Sequence, residues 1–144
     1  MPQPLRNQAA LALLGITLAA CSNQAKREAA ILMAAVDGFR RAEGGSKAAL
    51  ATKVARVACT DEKVCAAKRA CVEAIDPTAR ALALKEEVAT SVSDIERKRV
   101  APESPEARAL PAKLDEAERL LNEGRLKMSA CDRGLAELQL QHGI

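Results

Sequence analysis

The sequence predicts an all-α fold: a long antiparallel, coiled-coil-like helical hairpin, stapled by disulfides, with one or two N-terminal helices packed on it. Three observations lead there. Two segments, Val64 to Ile95 and Leu110 to Leu138, place apolar or small residues at spacings of three and four, the period of one helical face. Between them Val100-Ala101-Pro102-Glu103-Ser104-Pro105-Glu106 ends one helix and starts another. Of 144 residues, 31 are alanine, one is Phe and none is Trp or Tyr, so the core has to be thin, formed where helices approach along narrow seams.

Composition also narrows the function. The length is that of one domain, which argues against a multidomain enzyme. A net charge of +3 with interleaved signs, and almost no aromatic side chains for stacking, gives no basis for nucleic acid as a partner.

Taken in order, the N-terminus carries Arg6, an uncharged stretch from Ala9 to Ala20, and then Cys21. Twelve apolar residues make about 18 Å of helix against the roughly 30 Å of a bilayer core, so the stretch is too short to span. A cationic start, a short apolar middle and small residues before a boundary are the parts of a secretion signal. The boundary Leu18-Ala19-Ala20-Cys21 resembles the lipobox of bacterial lipoproteins. The resemblance covers the signal and Cys21 alone. It implies cleavage before Cys21 and lipidation of its thiol with diacylglycerol, plus an amide-linked acyl chain such as palmitate. Residues 1–20 are then a cleaved signal peptide, and 21–144 a single all-helical domain facing the periplasm. Ser22, where an inner-membrane lipoprotein of that pattern has Asp, implies the outer membrane. More than one acyl chain is what turns marginal binding into stable anchoring. Only Ser22 and Asn23 separate the lipid from helix-forming sequence, so the domain is expected close to the membrane surface.

Gln24 to Ala42 favours helix, with Leu32, Val36 and Phe39 on one side, and Gly44-Gly45 should break it. Ser46 is placed to cap a second short helix running through Ala58, striped by Leu50, Val54 and Val57. These segments are expected to pack on the hairpin rather than lie along a membrane with Arg40 and Arg41 among headgroups.

Thr60-Asp61-Glu62 supplies an N-cap and an acidic first turn, so the first hairpin helix should start near residue 61. Its stripe is Val64, Ala67, Cys71, Ala74, Thr78, Ala81, Leu84, Val88, Val92 and Ile95. Asp76-Pro77 should kink or restart it, because proline removes a backbone hydrogen bond and disfavours a helical predecessor. The return helix should start with Ser104 as N-cap and Pro105 at the first position. Its stripe is Leu110, Leu114, Ala117, Leu121, Gly124, Met128, Cys131, Leu135 and Leu138, a sustained 3-4 alternation.

Folding the stripes together about residues 101 to 103 pairs Val64 with Leu138, Ala67 with Leu135, Ala74 with Met128, Ala81 with Leu121 and Val88 with Leu114. The same register sets Cys71 against Cys131. Setting Cys21 aside, four cysteines remain, and an oxidising compartment makes two disulfides the default. Cys65 and Cys71 on one helix are about 9 Å apart axially and on different sides, too far to bond. Cys71–Cys131 is therefore predicted, closing a loop worth about 3 to 4 kcal/mol. Cys59 is left to Cys65, fixing how the chain enters the hairpin. The Cys spacing fits neither a zinc site nor a C-x-x-C redox pair.

Chemistry-bearing groups are sparse. His142 stands near the end, where chains fray. Glu86, Glu87, Asp115, Glu116 and Glu118 interleave with cations on polar faces, and Arg97, Lys98 and Arg99 complement a helix C-terminus. No phosphate-cradling glycine loop, nucleophile elbow or H-E-x-x-H motif occurs. Gly124 in the seam, opposite Thr78, marks close helix approach. No catalytic residue, metal site or cofactor other than the lipid on Cys21 is expected. The expected function is that of a lipid-anchored, non-enzymatic envelope protein, a structural or protein-interaction module whose partners are other envelope proteins or further copies of itself. The alternative is a ligand-sequestering or inhibitory bundle, with a concavity beside Leu32, Phe39 and Leu50.

Overall fold

A computed structural model describes the backbone from residue 9 and side chains from residue 23. The cationic start of the expected signal and the Cys21 side chain lie outside the described residues. Four helices make up the fold: α1 (Ala9–Arg41), α2 (Ser46–Ala55), α3 (Glu62–Glu96) and α4 (Pro105–His142). No strand occurs among the described residues.

The hairpin of α3 and α4 forms in the predicted register. Asp61 caps α3, its carboxylate accepting from the N–H groups of Lys63 and Val64. Ser104 caps α4 by accepting from Ala107 N, with Pro105 as the first helical residue. Across the seam Cys71 and Cys131 are both fully buried and disulfide-bonded, with Cα atoms 4.4 Å apart. Gly134 abuts Ala67, where an added Cβ would lie 3.0 Å from the alanine methyl. At the base of the hairpin, Val64 near the start of α3 and Leu138 near the end of α4 are both buried.

Above the base, α1 and α2 form an arm over one face. Gln24 and Glu28 lie at Thr60, beside the start of α3, while Arg40 reaches Asp132 on α4. Helix α1 therefore climbs from base towards tip. Gly44 takes a left-handed φ of 54° at the turn, and Gly45 lies against Glu86. Helix α2 then descends along α3 to the Cys59–Cys65 disulfide, whose Cα atoms are 5.3 Å apart. Leu32, Val36 and Phe39 of α1 join Val54, Val57, Val64, Ile75 and Leu135 in the principal core. The arm is packed on the hairpin, as its apolar stripes predict.

Four local expectations are corrected. Pro77 neither kinks α3 into two elements nor restarts it: one helix runs through it, with the ring buried. The helix persists because α2 and α4 pack on that stretch and bury the ring, which offsets the one hydrogen bond proline removes. Ser46 is not the cap of α2. It is the first helical residue, and its hydroxyl donates back to Glu43 O at 2.8 Å, while Gly45 occupies the cap position. Helix α2 also stops at Ala55 rather than Ala58, because the chain must turn there for Val57 to enter the core and Cys59 to reach Cys65.

The fourth correction concerns the seam of α4. Along the row Leu135, Met128, Leu121, Leu114, exposure rises from 8% at Leu135 through two half-buried residues to 45% at Leu114. Leu120 replaces Leu121 as the buried residue opposite Ala81. Two packed helices enclose only a central row, and the next row is enclosed only where a third helix covers it. The arm ends near Glu86, so Leu135 is covered and Leu114 is not.

Candidate functional site at the base of the hairpin

Glu28 is the one charged side chain in the buried set of the described residues, with 7% exposure. Its carboxylate accepts from Thr60 N at 2.7 Å, Thr60 Oγ1 at 2.9 Å and Gln24 Nε2 at 3.1 Å. Gln24 Nε2 also donates to Thr60 Oγ1 at 3.2 Å. Both carboxylate oxygens are thereby hydrogen-bonded, Oε1 twice and Oε2 once. The Thr60 backbone N–H, foremost, holds the Glu28 carboxyl below its ordinary value, and the Thr60 hydroxyl and Gln24 amide add to this against the opposing effect of burial. A buried anion thus ties α1 to the segment between Cys59 and the α3 cap. This latch was not anticipated from sequence. Its signal is a carboxylate standing on the apolar face of α1, between Ala25 and Leu32.

The same segment carries the Cys59–Cys65 disulfide, with both residues half-buried, in contrast to Cys71 and Cys131. His142 closes α4 at this end. It is half-buried and lies within the helix: Gly143, at φ 62°, donates to Gln139 O at 2.9 Å, and Ile144 packs on the core. Its Nε2 is enclosed without a hydrogen-bond partner.

Farther up, Arg40 is engaged by Asp132, with its guanidinium 3.7 Å from Met128 Sδ, and Arg41 pairs with Asp37. Lys47 sits 4.6 Å from the Phe39 ring centroid and donates to Phe39 O at 2.7 Å, placing a cation on the C-terminus of α1. The carboxylates singled out in the sequence stay on the surface. Glu87 pairs with Lys113 across the hairpin, and Glu116 lies 2.7 Å from Arg119, whose hydrogen bond holds that carboxyl below its ordinary value. Arg97, Lys98 and Arg99 are exposed at the tip, where Arg99 pairs with Asp94 at 3.3 Å and Lys98 adopts a left-handed φ of 57°.

Leu32 and Phe39 are buried in the principal core, and Leu50 is partly buried against it. A surface groove of about 410 Å³ runs between α2 and α3, its lining including Ala51, Val72, Ile75 and Ala79 together with Arg56 and Asp76. Among the described residues no group of three or more His, Cys, Asp or Glu is arranged to hold a metal, and no helix is long and apolar enough to cross a membrane.

Comparison of the chain with protein-family models, curated proteins and solved structures finds no match.

Proposed function

We propose that this chain is a lipid-anchored, non-enzymatic helical protein of the bacterial envelope, attached through Cys21 to the outer membrane, facing the periplasm and acting as a spacer and interaction module. The observation that carries this reading is the direction of α1. The contact of Gln24 and Glu28 with Thr60 holds residues 24–28, which follow Cys21 closely in the sequence, at the base of the hairpin, and this supports an anchor at that end. The tip at residues 97–104 stands one α3 length away, about 50 Å for 35 helical residues. An anchor at one end and a free tip at the other is the arrangement a spacer requires. The thin, ion-paired seam, closed by a fully buried disulfide, keeps the rod from splaying.

The test is intact-mass analysis and fractionation of the chain produced in a Gram-negative host. The expected product begins at Cys21, carries the mass of a diacylglyceryl group plus one acyl chain, and sediments with outer membrane. Cys21→Ser should abolish both the mass increment and the membrane association. An unmodified thiol, or a mature terminus at another residue, overturns the anchor. Photocrosslinking from Glu103 at the tip should capture an envelope protein, and its failure across growth conditions removes the interaction role.

A further inference from the structure

The geometry points to Cys59–Cys65 as a reducible latch: a thiol-exchange site at which a dithiol reductant opens this bond, and not Cys71–Cys131, releasing the lower arm from the hairpin. Three observations carry it. The two disulfides differ in access, since Cys59 and Cys65 are both half-buried at the surface of the base whereas Cys71 and Cys131 have no exposure at all. They also differ in the chain they close, 6 residues apart against 60, so opening the short bridge frees only a local segment and leaves the hairpin closed by the long one. A disulfide that an attacking thiolate can reach exchanges before one enclosed in the core.

The third observation gives the exchange a consequence. Thr60 follows Cys59 directly and supplies two of the three hydrogen bonds that satisfy the buried Glu28 carboxylate. With Cys59 tied to the first turns of α3, Thr60 is held where Glu28 needs it. Once Cys59 is free, residues 58–60 lose that tether, and an anion 7% exposed is left to recover its donors from water. Residues 24–28 then leave the hairpin, while the upper arm stays held by Phe39 in the core and by Arg40 on Asp132.

The step balances as ordinary thiol–disulfide exchange. One thiolate of the reductant attacks Cys59 Sγ, forming a mixed disulfide and breaking the Cys59–Cys65 bond. Cys65 departs as a thiolate in the first turns of α3 and takes up a proton. The second thiol of the reductant displaces Cys59 and leaves as the oxidised disulfide. Two electrons pass from dithiol to protein, and both cysteines end as thiols.

The test titrates the full chain with dithiothreitol redox buffers, alkylates free thiols and maps them by mass. Cys59 and Cys65 should be alkylated together under conditions that leave Cys71–Cys131 intact. In that selectively reduced form, amide exchange of residues 24–30 and 57–61 should rise about tenfold or more, with the seam around residue 131 unchanged. The variant Cys59→Ser/Cys65→Ser should show the same rise without reductant. Opening of Cys71–Cys131 first or simultaneously overturns the selectivity. Unchanged exchange over 24–30 in the reduced chain, or in the double variant, overturns the latch.

Discussion

Gly124 on α4 packs directly against Thr78 on α3, so closely that a Cβ added at Gly124 would stand 2.8 Å from the carbonyl oxygen of Ala74. This is the closest approach of the two rods that a glycine makes possible. The backbone there has no room to give, because Thr78 is already committed to Ala74 O.

Gly124→Ala should therefore destabilise the protein by about 1 to 3 kcal/mol, the overpacking cost exceeding the gain in helix propensity. Gly38 on α1, where nothing lies within 4 Å of an added Cβ, is the control. Gly38→Ala should stabilise by about 0.5 to 1 kcal/mol. Urea midpoints of the two variants should move in opposite directions, and a common sign contradicts the packing described for the seam.

The two disulfides should contribute unequally. Replacing Cys71 and Cys131 together by alanine frees a 60-residue separation, and on the chain-entropy relation should cost about 4 kcal/mol. Replacing Cys59 and Cys65, 6 residues apart, should cost about 2 kcal/mol. Thermal or urea unfolding of both double variants gives the comparison.

Glu28 predicts a pH dependence with a defined sign. Its carboxyl titrates lower in the folded chain than its ordinary value, chiefly through the Thr60 N–H. The stabilisation is thus present above the ordinary carboxylate range, and is lost as pH falls through the lowered folded value. Glu28→Gln should cost about 1 to 3 kcal/mol at pH 7. That difference should shrink as pH drops below about 4, where the wild-type side chain also loses its charge. Denaturant midpoints for the pair at pH 7 and at pH 2.5 to 3 test it, and a gap that widens on acidification would exclude the latch as the cause.

Leucines of α4 should separate by row. Leu120, 2% exposed opposite Ala81, should cost about 2 to 4 kcal/mol on truncation to alanine. Leu114, 45% exposed, should cost less than about 1 kcal/mol. Equal losses would mean that an unseen surface covers the distal half of the hairpin in solution.

Much of this architecture is carried by residue spacing. The 3-4 stripes of α3 and α4, the Ser104-Pro105 start and the Asp61 cap are local signals, and a constant helical rise converts them into a register. That is why Cys71 can be matched with Cys131 across a long interval, and why Cys59 then falls to Cys65. The arm's two helices, and the glycine turn between them, are likewise readable from Leu32, Val36, Phe39, Val54 and Gly44-Gly45.

What spacing could not supply was decided by a third helix arriving. Whether Leu114 or Leu135 is enclosed depends on where the arm stops, and Pro77 stays helical because neighbours on both sides hold it. The buried Glu28 is invisible until Thr60 is brought beside it from 32 residues away. Periodicity reports which face of a rod is apolar. Contacts between rods that share no period, and the burial of a charge they jointly permit, exist only once the pieces have been assembled.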